Sequence, residues 1–324
     1  MADSPVAERP TFAELFSRIC HNVGLVVRGK DDVVGLAVMC LVAEGHLLIE
    51  DVPGVGKTSL AKALARSVRG EFRRIQFTPD LLPADVLGTA VWNRSDASFE
   101  FRPGPIFTNV LLADEINRAS PKTQSALLEA MAEEQVTVDG TTHHLARPFM
   151  VIATQNPIEH QGTYPLPEAQ LDRFLMRVAV GYPARDDELQ VLAGDGGDPA
   201  LADLRPVVDN EIVRAMAAHA EGVHVSPAVA TYLLDLATTT RRHRQLALGM
   251  SPRAALGVQR VARVRAAVAG RNYVVPDDVR ALLEPVVAHR LLLAPEAQIQ
   301  GVTPAEVLDD VLRSVPVPVD TRVG

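Results

Sequence analysis

The chain has 324 residues, enough for about two domains and for a sizeable buried core. Hydrophobic residues make up 47% of it and charged residues 22%, ordinary globular usage that excludes wholesale disorder. Lys and Arg total 32 against 40 Asp and Glu, a net charge of −8 that speaks against a protein coating nucleic acid by bulk charge.

The opening Met-Ala-Asp-Ser-Pro lacks the basic-then-apolar order of a signal peptide. The most apolar stretch, Val33 to Ala43, falls well short of the ~20 residues that span a bilayer. Cys20 and Cys40 cannot build a disulfide framework or a cysteine-rich zinc site, and both sit in apolar contexts that suit small core residues. The expectation is a soluble, cytoplasmic protein without membrane insertion. Phe12, Leu15, Phe16, Ile19, Cys20 and Val23 recur at helical spacing behind Thr11, a candidate N-cap. A second, almost uniformly apolar helix is expected from Asp31 to Ala43.

From Leu47 to Tyr182 short apolar runs alternate with helical stretches: Leu47–Ile49, Ile75–Phe77, Val110–Ala113, Met150–Ala153 and Val178–Val180. Such runs suit strands of a parallel sheet covered on both faces. Two hairpins interrupt them, at about 90–102 and 135–145, the second around the turn signal Asp139-Gly140. His143-His144 lies on that hairpin, where adjacent side chains point to opposite faces, and is read as exposed. Gly194 to Pro199 reads as a flexible breaker, and no strand run of comparable quality follows Pro206. A helix is expected from Pro252 to Ala269, with Ser251 as N-cap and Gly270 beyond its end. The final Pro-Val-Pro-Val tail reads as extended and poorly ordered. The division is an α/β domain over 1–182, a linker over 183–206 and a smaller helical domain over 207–324. From Leu236 to Pro276 there are eight arginines and no Asp or Glu.

The sharpest local signal is Asp51-Val-Pro-Gly-Val-Gly-Lys-Thr58, between the strand at Leu47 and a helix from Ser59 to Val68. Its glycines let backbone N–H groups face phosphate oxygens, and the following helix N-terminus adds positive dipole. Lys57 suits the β- and γ-phosphates and the Thr58 hydroxyl a Mg²⁺ ion. Val110-Leu-Leu-Ala-Asp114-Glu115 ends a buried strand in two carboxylates at the edge where such sheets bind ligands. Asp114 suits Mg²⁺ through water and Glu115 a general base that polarises the attacking water. Taken alone, an apolar run ending in Asp-Glu is an ordinary strand end; the upstream loop supplies its chemistry. Asn156, at the tip of a third strand, suits an amide that positions that water or senses the γ-phosphate.

The run Gly104-Pro-Ile-Phe-Thr-Asn-Val-Leu-Leu-Ala-Asp-Glu-Ile-Asn-Arg-Ala-Ser-Pro-Lys-Thr-Gln-Ser-Ala-Leu-Leu-Glu-Ala-Met131 and the block from Ala153 to Phe174 resemble the MoxR family of AAA+ ATPases, over roughly residues 11 to 300. The resemblance implies a P-loop αβα domain with a five-stranded parallel sheet in 5-1-4-3-2 order and a C-terminal all-α lid. It implies ATP and Mg²⁺ held between subunits of a ring, usually a hexamer, and two hairpins facing a pore or partner. It further implies chaperone-like remodelling, maturation or metal-cofactor loading of client proteins, typically with a von Willebrand factor A-domain partner. By motif match, Pro53, Gly54, Val55, Gly56, Lys57, Thr58 and Ser59 form Walker A, Asp114 and Glu115 Walker B, and Asn156 sensor 1. Arg173, in Leu-Asp-Arg-Phe, matches the arginine finger and Arg253 sensor 2. Ser251 and Pro252 put Arg253 in the first turn of its helix, where the dipole disfavours a cation, and a phosphate would account for it. The chain departs from the family at Arg28-Gly29-Lys30, in the segment that usually lines the adenine pocket, and at Asp51, in the first Walker A place. Three alternatives stand beside this reading: a nucleic-acid motor that tracks phosphates with the arginine-rich stretch, a magnesium-chelatase-type motor subunit, and a non-hydrolysing nucleotide-regulated scaffold, which would need none of Glu115, Asn156 and Arg173. The net charge and the 4% aromatic content argue against the first, so no nucleic-acid partner is expected.

Overall fold

Five short strands carry the fold: β1 (Leu47–Glu50), β2 (Phe72–Gln76), β3 (Val110–Asp114), β4 (Met150–Gln155) and β5 (Met176–Val178). The structure is a computed structural model that describes residues 10–156, 163–193 and 198–318; the core of the expected breaker at 194–197 and the last residues of the expected tail lie outside the described residues. All neighbouring strands are parallel, in the order β2-β3-β4-β1-β5, which is the expected 5-1-4-3-2 taken from the other edge.

Side chains of a strand alternate between faces, and here both faces are apolar. Leu47, Ile49, Val110, Leu112, Met150, Ile152, Met176 and Val178 join one buried cluster. Their sequence neighbours Leu48, Leu111, Ala113, Val151 and Ala153 join another. The principal helices are α1 (Phe12–Gly24), α2 (Asp31–Val42), α3 (Lys57–Ser67), α4 (Pro121–Glu133), α5 (Arg185–Leu192), α6 (Asn210–Glu221), α7 (Pro227–Arg242), α8 (Pro252–Val268), α9 (Pro276–Val287) and α10 (Pro304–Ser314). The first cluster takes in Ile19 of α1, Val38 of α2 and Leu64 of α3, and continues into Val258 of α8 and Leu282 of α9. The second takes in Leu127 and Met131 of α4. Each fully buried Leu or Ile contributes about 1.5–3 kcal/mol, so a sheet with a polar middle could not hold these layers.

Helix ends follow local chemistry. Thr11 and Glu14 form a reciprocal capping box at α1, and Ser251 accepts the Ala254 N–H at α8, with Pro252 as its first residue. The first hairpin pairs Gly88–Asn93 with Ser98–Pro103 and sets Trp92 opposite Phe99. The second pairs Gln135–Val138 with Thr141–His144 through Asp139 and Gly140, both at positive φ. His143 is not simply exposed: it stacks on Phe101 with ring centroids 4.0 Å apart, fastening one hairpin to the other.

Other differences also lie at edges. β2 starts at Phe72 rather than Ile75, because on an edge strand Arg73 and Arg74 can reach water without breaking the ladder. β5 spans Met176–Val178 rather than Val178–Val180, in register with Leu47–Ile49. In the helical region Leu246–Leu248 and Leu292–Leu293 form a small antiparallel pair that a period-based reading passes over. No helix among the described residues is long and apolar enough to cross a membrane.

Two buried imidazoles tie layers together. His46 sits before β1; its Nδ1 accepts the Val151 N–H at 3.0 Å, and its Nε2–H donates to the Met131 carbonyl at 3.1 Å. His289 donates from Nε2 to the Phe174 carbonyl at 3.0 Å. Burial pulls His46 down to about 4, and burial with Arg290 alongside pulls His289 down to about 3. Both are neutral when folded and take up a proton on unfolding at acid pH. Their contribution is therefore complete above about pH 6.5 and is lost as pH falls towards the folded values, at about 1.4 kcal/mol per pH unit for each ring. Denaturant unfolding between pH 7 and 4.5 should show this decline, with a shallower one in His46→Gln. Parallel declines in the two chains would refute the role given to His46.

Candidate active site

The loop between β1 and α3 turns twice through positive φ, at Gly54 (+86°) and Gly56 (+89°), conformations that cost a side-chain-bearing residue strain. No side chain caps α3, so the amides of Lys57, Thr58 and Ser59 point out of a bare helix N-terminus, the geometry that suits an anion. Asp51 does not need the conformational freedom of glycine. Its carboxylate accepts the Val52 N–H at 2.7 Å and the Gly181 N–H at 2.5 Å, tying the start of the loop to the segment after β5. The Lys57 ammonium donates to the Asp51 carbonyl at 2.6 Å, and burial holds its pKa below the usual lysine value against the opposing pull of Asp51, Asp114 and Glu115.

Parallel register brings the strand ends beside this loop. Gln76 pairs with Asp114 and Glu50 with Gln155, so four strands end level at their carboxyl edge. Pro53, Gly54, Gly56, Lys57, Thr58, Ser59, Asp114, Glu115 and Asn156 line one cleft there, of about 390 Å³, together with Arg74, Gln76 and Thr154. The Thr154 hydroxyl is the hinge of the acidic side, donating to Asp114 Oδ1 at 2.6 Å and accepting the Glu115 N–H at 2.8 Å. Glu115 stands at φ +55°, a strained backbone that turns its side chain out of the strand line. Arg74 Nη2 lies 2.6 Å from Asp114 Oδ2, Gln76 donates to Glu115 Oε2 at 2.8 Å, and Arg118 pairs with Glu115 at 3.2 Å. The Thr58 hydroxyl and the Asp114 carboxylate in one cleft are hard oxygen donors of the kind Mg²⁺ takes.

Beside the loop, Val26, Val27, Arg28, Lys30, Val55 and Pro183 line a second hollow that shares Gly54, Gly56 and Ser59 with the first. The departing Arg28-Gly29-Lys30 segment thus adjoins the loop, with Lys30 Nζ donating to the Tyr182 carbonyl at 2.7 Å.

Two expected members lie elsewhere. Arg173 and Arg253 line a different cavity with Gly45 and His46 before β1, Leu175 before β5, and Arg260 and Arg290. It opens at the amino ends of the strands, and Arg173 donates to the Leu128 carbonyl of α4 there. From His46 to Asp51 an extended chain covers ~17 Å, so neither arginine shares the cleft of Lys57 in the same chain. Arg74, Gln76 and Thr154 were not expected. Gln76 closes an edge strand and Thr154 stands one place before the end of a buried one, so a polar residue near a strand's carboxyl end is the one signal for these two, and Arg74 carries none.

A P-loop, paired carboxylates and an amide at the carboxyl edge of a five-stranded parallel sheet define a nucleotide-binding ATPase of the AAA class. The model of the ATPase family associated with various cellular activities (AAA) matches residues 46–176, and the AAA lid domain matches residues 238–311. The chain is 41% identical to Chaperone MoxR1 of Mycobacterium tuberculosis, covering 93% of this chain and 82% of that protein. It is 46% identical to protein YeaC of Bacillus subtilis (94% and 95%) and 33% to Protein MoxR of Paracoccus denitrificans (90% and 93%). A solved structure from Cytophaga hutchinsonii superposes with a TM-score of 0.88 at 36% identity, covering 95% of this chain and 96% of that one. The chain belongs to the MoxR family of AAA+ ATPases: it is a chaperone-type ATPase that binds and hydrolyses ATP.

Thr154→Val keeps the shape of the side chain and removes the hydroxyl that serves both Asp114 and Glu115. It should cost about 1–3 kcal/mol, since two part-buried polar groups are left short of a partner, and should slow turnover while ATP still binds. Denaturant unfolding and steady-state hydrolysis together test this; normal values in both would take Thr154 out of the site.

Proposed function

We propose that the chain hydrolyses ATP between copies of itself arranged in a ring, of hexameric type, and uses the cycle to remodel, mature or load metal into client proteins. The observation that carries this reading is the separation of the site into two halves at opposite ends of the sheet. Lys57, Asp114, Glu115 and Asn156 line one cleft, whereas Arg173 and Arg253 line a cavity at the other end. A second copy brings the two halves together. A von Willebrand factor A-domain partner belongs to this reading by family, as does a division into an α/β unit to about residue 182, a linker over 183–206 and a lid from 207.

In the mechanism, the amides of residues 53 to 59 and the Lys57 ammonium hold the phosphates, and displacement of Lys57 from the Asp51 carbonyl frees it for them. Thr58 and Asp114 would hold Mg²⁺, which when bound neutralises phosphate charge. Glu115 takes the proton of the attacking water, oriented from one side by Asn156, and Gln76 holds the carboxylate in place until then. Arg173 and Arg253 of the neighbouring copy stabilise the charge that develops on the phosphoryl oxygens.

Lys57→Ala should lose nucleotide binding by calorimetry, whereas Glu115→Gln should bind ATP without turning it over and accumulate assemblies on sizing. Unchanged affinity in the first, or normal hydrolysis in the second, would strike that residue from the mechanism. An arginine finger is worth ~10³–10⁵ in rate, so Arg173→Ala alone should be nearly inactive. Mixed with Lys57→Ala subunits it should regain part of the activity, since each variant supplies the half that the other lacks. Absence of rescue at every mixing ratio would show that Arg173 does not act across an interface.

A further inference from the structure

The segment that bears Arg173 is held from one side by a buried charge far along the chain. Arg290, in the 3-10 turn Ala288–Arg290 that follows α9, is 6% exposed, an unusual degree of burial for an arginine. Its Nη2 donates to the Phe174 carbonyl at 2.7 Å, and its Nη1 faces Asp172 Oδ1 at 3.4 Å. His289 donates to the same Phe174 carbonyl, whose two lone pairs accommodate both donors. Asp172 Oδ1 also receives the Ser251 hydroxyl at 3.4 Å, and Ser251 caps the helix whose first turn carries Arg253. The residues immediately before and after Arg173 are therefore both tied to Arg290, and one of them also to the start of α8.

Burying a guanidinium costs several kcal/mol unless its partners are well placed. That cost has no return in the packing of α9, which already buries Leu282, Leu283, Val286 and Val287. A hydrophobic residue at position 290 would pack against the same surroundings without the charge. What the charge supplies is direction: a donor to the carbonyl on one side of Arg173 and a counter-ion for the carboxylate on the other.

We propose that Arg290 and Asp172 form a clasp that sets Arg173 and Arg253 as one unit, so that Arg290 is a positioning residue for hydrolysis at the neighbouring copy. This rests on the reading of Arg173 as acting across an interface. Arg290 is itself buried and bonded to the residues on either side of Arg173, so its effect passes through Arg173.

Arg290→Met in the full chain should lower kcat by about 10²-fold, the scale of a misplaced catalytic group, while ATP affinity at its own P-loop stays unchanged. Mixing with Lys57→Ala subunits should restore part of the activity, as for Arg173→Ala. The decisive comparison is the double variant: Arg173→Ala/Arg290→Met should be no slower than Arg173→Ala alone, because the clasp acts only through the finger. Asp172→Asn, at a partly exposed position, carries the same three measurements should Arg290→Met fail to fold. Normal turnover in these clasp variants, no rescue on mixing, or a double variant slower than Arg173→Ala would overturn the proposal. Full activity of Arg173→Ala would instead remove the underlying reading. Inactive, rescuable Arg173→Ala beside a normal Arg290→Met would leave that reading standing and remove the clasp alone.

Discussion

A parallel sheet buried on both faces has no room for polar chemistry except at its two ends. Here that constraint organises the whole molecule. The middle positions of β1, β3 and β4 are fully apolar, so the polar side chains of the sequence collect at the carboxyl ends as Asp114, Thr154 and Asn156. At the amino ends they collect as His46 and the arginines around Arg173. Helix α3 begins directly after β1, which brings its amide-bearing N-terminus to the same edge as the carboxylates. Cation-seeking and anion-seeking groups thus face each other across one cleft, while the arginines stand a strand length away.

The charges in that cleft are held by partners that are easily exchanged. Arg74 neutralises Asp114 with half of its own side chain in water, and ion pairs of that exposure contribute about 0–1 kcal/mol. Lys57 rests on a backbone carbonyl, and Glu115 on an amide and on Arg118, itself partly exposed. Thr154, by contrast, is 1% exposed and joins Asp114 and Glu115 by short bonds. Fixed hydrogen bonds orient the carboxylates, and loose ones occupy the faces that a phosphate or cation would take. Such a site can bind nucleotide without rearranging its strands.

Which parts of this were legible in the sequence follows from the range of the interactions. The glycine turns between β1 and α3, the strand end at Asp114, the Asp139-Gly140 turn and the Ser251 cap are each decided within about eight residues, and each is found where local chemistry puts it. Core strand order came with the family resemblance, not from the residues themselves. Thr154 and Gln76 depend on register: they meet Asp114 and Glu115 about forty residues away, and nothing beside them in sequence marks the pairing. Asp51 is similar. Read along the chain it is a substitution for glycine; in the fold its carboxylate reaches Gly181, 130 positions on. The two edge strands were misplaced by two or three residues because apolar runs mark burial, and edges are only partly buried.

The arginine-only stretch shows the same dependence on distance. Its lack of acids from Leu236 to Pro276 suggests a cationic surface, yet the counter-ion stands two residues past its end. Asp278, 2% exposed, takes Arg271 through two bonds of 2.7 Å and Arg265 at 3.5 Å, and also accepts the Val275 N–H at the start of α9. Arg241 donates to the Met250 carbonyl. Three of the eight thus serve the fold of the helical region. Arg253 and Arg260, seven residues apart on one face of α8, line the cavity of Arg173 instead. Glu44 and Glu134 line the same cavity and offset part of the repulsion between these like charges, while Asp172 is engaged by Arg290 and Ser251. In the ring proposed above, the remaining compensation comes from the phosphates held by the neighbouring copy, which approach the amino ends of these strands.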